Sequence, residues 1–347
     1  MTSCQDAHNV EQPGYDNATD DTKVFRNNKD VERGILGLYA SLSNEDEIEF
    51  VSYFTDELGI AADNGGQGIN DGSWRFLMTP GNSFASSAWT RYYNVINRSN
   101  RLLKRIDELK EVETDQSLVT QYDLNRARIL AIRAYSNLKL FSYYTPDYTN
   151  PSGLSIIKFD FYHTDDYTRH EKRATVQEIV SFIEEDIEEV LLPGNAPMDT
   201  FMDANDSAYV TQNFARTILV KLYSMIERPD LVHQYADQIT GKSLSTPLDY
   251  IMLFDKDKED LPQHQEVIFR LNRVFNDGNR VAAAWFEIAA DPARGYALMD
   301  IGRALYNKLD ELDPTKTGQG TGVSRNDLRY SVNVSSASQP QSNYMNM

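Results

Sequence analysis

Between residues 119 and 143 apolar side chains return at helical spacing, and half of the face they make is alanine: Leu124, Ala127, Ala131, Ala134, Leu138 and Phe141. Alanines at contact positions let a neighbouring helix approach closely, so a chain built around this stretch is expected to pack helix on helix. The same period recurs elsewhere. Residues 29–43 carry Val31, Ile35, Leu38 and Leu42 on one face, and residues 84–109 place Trp89, Tyr92, Ile96, Leu103 and Ile106 near one stripe with Asn100 among them. Thr175 and Glu178 have the spacing of a capping box, opening a helix to about Val190 whose inner face is Val176, Ile179, Val180, Ile183 and Ile187; Pro193 and Gly194 follow it. Helices at about 210–226 and 230–240, parted by Arg228-Pro229-Asp230, read as an αα-hairpin of the kind tetratricopeptide units stack.

The expected fold class is therefore mainly α, with helical pairs, long irregular loops and a few short strands. Residues 1–28 read as a polar tether, residues 29–330 as the folded domain and residues 331–347 as an irregular tail, with the chain stopping short of a natural end. Past Leu261 the helical period fades, and Val267 to Leu271 reads as a strand. Residues 60–83 hold six glycines or prolines among Asn and Asp, together with Trp74 and Arg75; loops of this length often carry function.

Charge narrows the partners. With 52 acidic against 34 basic residues the formal charge is −18, a surface that repels phosphate backbones and argues against nucleic acid. No apolar run approaches the roughly 20 residues a spanning helix needs. Cys4, the only cysteine, excludes a disulfide framework and a Cys-based structural zinc site. Ser3 before it and a polar run after it resemble the end of a bacterial lipobox, where the Cys is acylated, although Met1 stands where Leu is usual. An incidental terminal thiol is the other reading of these residues.

Catalytic signatures are missing. The sequence has no H-E-x-x-H, G-x-S-x-G or P-loop pattern. Gly318, Gly320 and Gly322 follow no expected strand and read as a loop. Glu184, Glu185, Asp186, Glu188 and Glu189 read as the solvated side of their helix rather than paired catalytic carboxylates. The run Asp255-Lys-Asp257-Lys-Glu259 with Glu266 imitates a calcium loop, but Asp260 occupies the position that needs Gly and Pro262 intrudes. His8, His163, His170, His233 and His264 show no ligand spacing. Neither catalytic residues, nor a metal, nor a cofactor is expected, and the chain is not expected to be an enzyme.

Several segments together resemble the SusD/RagB family of nutrient-binding outer-membrane lipoproteins of Bacteroidetes. Trp89, Tyr92, Ile96 and Asn100 match its W-x-x-x-Y-x-x-I-x-x-x-N helix. Asn125 to Leu138, with Arg128, Arg133, Ala134 and Tyr135, is similar to the Arg-Ala-Tyr stretch of the family. Arg173 to Pro193, Glu266 to Phe269 and Asn326 to Arg329 follow in the family's order. Membership implies tetratricopeptide-like pairs, a lipid anchor at Cys4 on the cell surface, and docking on a SusC-type TonB-dependent transporter that imports a bound glycan. The chain is shorter than typical members, and the family's starch-binding tryptophans have no alignable match.

Sugar rings stack their apolar faces on aromatics, while their hydroxyls want Asn, Asp and Arg partners. Asp63, Asn70, Trp74 and Arg75 offer that mix in the long loop, and Arg280 with Trp285 offers it again. Trp89 and Tyr92 are expected in the core. Within the family a peptide or glycoprotein-glycan ligand is the alternative to an oligosaccharide or polysaccharide; outside it, a helical-repeat scaffold is.

Overall fold

The computed structural model describes residues 21–43, 47, 51–52, 54–55, 57–60, 79, 81–161, 171–195, 208–253, 266–271, 286–287, 296–297 and 299–311. They fall into two compact units. Unit 1 takes segments 21–41, 93–195 and 221–228, and unit 2 takes segments 42–92, 208–220 and 229 onward.

Unit 1 starts earlier than its helical period. A single turn, α1 (Asp21–Val24), precedes α2 (Asn28–Ser41). The Asn27 side chain accepts from the Asp30 N–H at 3.1 Å and so satisfies a free donor at the start of α2. Val31, Ile35 and Leu38 are buried as their spacing requires. A Cβ on Gly34 would come within 2.7 Å of Leu102, so glycine is what admits the Leu102 and Phe25 side chains against α2. The segment from Asp21 to Asn28, which composition joins to the tether, thus packs on the helical body: Arg101 pairs with Asp21, and Arg105 donates to the Phe25 carbonyl at 2.8 Å.

Helix α3 (Ser83–Val112) and α4 (Gln116–Tyr144) run antiparallel, a direction fixed by the pairs Asn100–Arg133, Asp107–Arg126 and Lys110–Asp123. Asp115 caps α4 by accepting from the Ser117 N–H at 2.8 Å. The six residues of the expected small face are all buried. Yet α4 buries other sides too, including Asn125, Arg128, Ser136 and Asn137, because α2 lies on one flank and α5 (Val176–Val190) on another. Part of this polar interior is tied together: Asn125 donates to Asn28 at 2.8 Å, and Arg128 donates to Asn125 at 2.7 Å. The capping box of α5 is present in both directions, Glu178 N–H to the Thr175 hydroxyl at 3.2 Å and Thr175 N–H to the Glu178 carboxylate at 2.7 Å. These backbone and hydroxyl donors hold the Glu178 carboxyl below its ordinary value. Before α5, strands β2 (Leu154–Ile157) and β3 (Arg173–Thr175) pair antiparallel with an irregular register.

Helix α6 (Gln212–Met225) continues into α7 (Pro229–Ala236) through three residues, confirming the αα-hairpin, although α7 ends four residues before the expected 240. Glu227 makes the turn with a φ of 57°, and the Arg228 N–H reaches back to the Tyr223 carbonyl at 2.9 Å, a Schellman-type closure. A β-carbon is unfavourable in that left-handed conformation. Glu227→Gly is accordingly expected to raise stability by about 0.5–1 kcal/mol, read as a higher urea midpoint at unchanged slope. A midpoint that falls would show that the Glu227 side chain contributes more than its backbone strain costs.

In unit 2, β1 (Leu58–Ile60) pairs antiparallel with β6 (Met299–Ile301), and β4 (Phe286–Glu287) with β5 (Tyr296–Ala297). Two helices, α8 (Pro247–Leu253) and α9 (Arg303–Glu311), lie where the sequence showed no clear period. Residues 266–271 are not the expected strand. Their polar neighbours take the backbone and side-chain partners a ladder would need: Lys242 donates to the Val267 carbonyl at 2.7 Å, and Glu266 accepts from the Ser245 N–H at 3.0 Å. Phe269 packs against Phe214 with ring centroids 4.6 Å apart and the ring planes tilted by 50°, so the apolar run serves a helix and not a sheet.

Candidate functional site

The residues the sequence nominates for ligand contact, Asp63, Asn70, Trp74, Arg75, Arg280 and Trp285, lie outside the described residues, as do Cys4, the calcium-like run and the Gly318–Gly322 loop. Of the helical aromatics, Tyr92 is buried at 1% exposure and donates to Glu47 at 3.0 Å. Trp89, expected in the core, is only half-buried; an indole is large enough to be rarely covered on every side.

The described chemistry of unit 1 concentrates around Arg133. Its guanidinium makes a two-point contact with Asp186, Nε to Oδ2 at 2.9 Å and Nη2 to Oδ1 at 2.5 Å. Nη1 donates to the Asn100 Oδ1 at 2.7 Å. The amide of Asn100 then donates to the carbonyls of Phe159 at 2.8 Å and Phe161 at 3.0 Å. One connected set of bonds therefore runs from α5 through α4 and α3 to the segment that leaves β2. Arg133 also lies 4.8 Å from the centre of the Phe182 ring, and Lys158 lies 5.0 Å from it.

Asp186 corrects the sequence reading. It is 4% exposed, not part of a solvated face. It follows Ile179, Phe182 and Ile183 at helical spacing on the buried stripe, and Glu185 and Glu188 alone of its acidic neighbours stand fully exposed. Burial pushes the Asp186 carboxyl above its ordinary value against the pull of Arg133. Glu184 accepts from Tyr223 at 2.9 Å, and Glu189 from Arg126 at 2.5 Å.

Tyr93 anchors the same segment from below. Its hydroxyl donates to the Ile157 carbonyl at 3.0 Å and accepts from the Ile157 N–H at 2.9 Å. One side-chain hydroxyl thus holds both backbone groups of Ile157. Burial raises the Tyr93 hydroxyl well above its ordinary value.

Above this framework opens a cleft of about 660 Å³. Helix α3 forms its floor between Asn100 and Glu111, α4 adds Arg126 and Arg133, and the segment after β2 adds Asp160 and Phe161. Among the described residues no cluster of three or more His, Cys, Asp or Glu is placed to hold a metal ion, and no helix is long and apolar enough to cross a membrane. The cleft offers one aromatic ring, hydrogen-bond donors and acceptors, and charges of both signs, most of them paired.

No protein-family model matches the sequence, and no curated protein matches it. Solved structures do match. A SusD superfamily protein from Bacteroides thetaiotaomicron superposes with a TM-score of 0.65 at 15% identity, over 82% of this chain and 62% of that one. The chain has the SusD fold. A SusD-like carbohydrate binding protein from Bacteroides vulgatus matches with a TM-score of 0.56 at 17% identity, over 70% of this chain and 50% of that one. A laminarin binding SusD-like protein matches with a TM-score of 0.52 at 18% identity, over 67% and 50%. The chain thus spans 62% of the length of the first of these SusD structures. The expected fold class, mainly α with helical pairs and a few short strands, is the SusD fold observed.

Asn100 and Arg133 stood in the motifs read from sequence as helix markers, and Asp186 stood in the acidic run read as a solvated face. The signal for their role was the placement of Asn100, Arg133 and Asp186 on otherwise apolar stripes. A polar residue on a buried stripe needs a partner, and here each is the partner of another.

Proposed function

We propose that this chain is a surface-exposed outer-membrane lipoprotein that captures an oligosaccharide or polysaccharide and hands it to a SusC-type TonB-dependent transporter, without cleaving it. The SusD fold carries this reading, since it extends over four fifths of the chain and its carriers include proteins named for binding carbohydrate and laminarin. Cys4 serves as the lipid anchor in this reading: each buried acyl methylene contributes about 0.8 kcal/mol, and several chains together hold an acidic body at a membrane.

The capture surface is assigned to Trp74, helped by Asp63, Asn70 and Arg75, with Arg280 and Trp285 as further contacts. The glycines around Trp74 in the sequence give an indole little core to pack against, and an aromatic in such a loop suits a sugar face.

Calorimetric titration of the full chain with neutral polysaccharides, laminarin among them, tests the proposal. Binding without release of reducing ends is expected, and Trp74→Ala is expected to weaken it about tenfold while leaving the melting temperature in place. The reading fails if no polysaccharide binds, if a peptide ligand binds instead, or if sugar products accumulate.

A further inference from the structure

We propose that the cleft between α3 and α4 is itself a saccharide-contact site, apart in sequence from the Trp74 loop, and that it takes a neutral sugar ring in preference to an acidic one. The proposal rests on the glycan-binding reading and adds a place and a ligand class to it.

The aromatic wall comes first. Phe161 is half-buried and faces the cleft, and the Phe159 ring supports it at a centroid separation of 4.5 Å. Asn100 pins the carbonyls of both phenylalanines, so the ring is held before any ligand arrives. A preset ring loses little freedom on binding, which favours stacking against the apolar face of a pyranose. The cleft's volume of about 660 Å³ is of the size that small ligands occupy.

Charge then selects the ligand. Every nitrogen of the two guanidiniums in the cleft is already donating, Arg126 to Glu189 and Asp107, and Arg133 to Asp186 and Asn100. Asp160 has Lys158 at 3.4 Å, and Glu108 has Arg105 at 2.8 Å and Lys104, the third cation of the lining, at 3.9 Å. An anionic ligand would have to compete with carboxylates for these cations, and it would meet Glu111, which has no cationic partner among the described residues. Hydroxyl groups need no such exchange. They accept from the remaining guanidinium hydrogens and donate to the second lone pairs of the carboxylates, leaving each ion pair in place.

The test uses the full chain and four probes: laminarihexaose, maltohexaose and mannohexaose as neutral ligands, and hexagalacturonate as the acidic one. For the best-bound neutral hexasaccharide, Phe161→Ala is expected to weaken binding about tenfold, the scale of a lost aromatic contact. Asp160→Ala, at an exposed side chain whose loss leaves the fold intact, is expected to weaken it several-fold. Wild-type protein is expected to bind hexagalacturonate at least tenfold more weakly than the neutral probe. Should Phe161→Ala lower the melting temperature, Asp160→Ala alone decides. Undiminished neutral binding in the deciding variant overturns the cleft assignment while leaving Trp74 as the capture residue. Tighter binding of hexagalacturonate overturns the charge argument and with it the proposal. Failure of wild-type protein to bind any of the probes, or any polysaccharide of the wider panel, overturns the glycan reading itself.

Discussion

Asp186→Ala is expected to destabilise the protein by about 3–5 kcal/mol, the largest effect of any single polar substitution in unit 1. The reason is not that the ion pair is strongly favourable. Removing two charges from water costs about as much as their attraction returns, and the raised carboxyl of Asp186 shows desolvation prevailing. The loss comes from what remains, since Arg133, whose side chain is 11% exposed, keeps its charge after its carboxylate is gone. Replacing both partners with apolar residues of similar size, Arg133→Met with Asp186→Leu, is expected to recover most of that loss. Urea unfolding at constant slope measures both. A single-mutant cost below about 1 kcal/mol would mean that water from the cleft solvates Arg133 well enough to replace Asp186.

Tyr93→Phe is the second large effect, about 2–3 kcal/mol, because one lost hydroxyl strands both the N–H and the carbonyl of Ile157. The same hydroxyl makes stability depend on alkaline pH. Below its ordinary value near 10 the folded and unfolded states both hold the proton, and this tyrosine contributes fully. As pH rises beyond that value the unfolded chain releases the proton while burial still retains it in the fold. Stability is then lost, by at most about 1.4 kcal/mol per pH unit for each such tyrosine. Burial also raises Tyr122 and Tyr148, so a decline persists in Tyr93→Phe with a shallower slope. An alkaline limb identical in wild type and mutant would remove Tyr93 from this account.

The long helices of unit 1 were legible, unlike α1, because each carries its own local signal. The Thr175–Glu178 box, the Val31–Ile35–Leu38 stripe and the alanines of α4 report conditions that act within a turn or two. Asp186 was misread because charge type outweighed position. Its spacing from Ile179 and Ile183 placed it inward, but its partner stands 53 residues earlier on α4, and no local pattern records a partner that distant. The same limit explains Val267 to Leu271. β-Branched and aromatic residues favour strands, yet the deciding contact is Phe214 of α6, and it selects packing over pairing. The cleft belongs to the same class. Phe161 becomes a platform only through Asn100, 61 residues away in the chain.

Strand β1 has a consequence for how this polypeptide is made. Leu58 faces Ile301, and Gly302 donates to the Glu57 carbonyl at 2.7 Å, so the ladder partner of an early strand is synthesised about 240 residues later. The α3–α4 pair closes through a three-residue turn as soon as both helices leave the ribosome, whereas β1 waits for nearly the whole chain with its backbone groups unmet. An unpaired edge in a nascent chain invites association with other strands. Among the described residues the two-stranded ladder is thus one of the last contacts able to form, and its closure registers that the late segment has arrived.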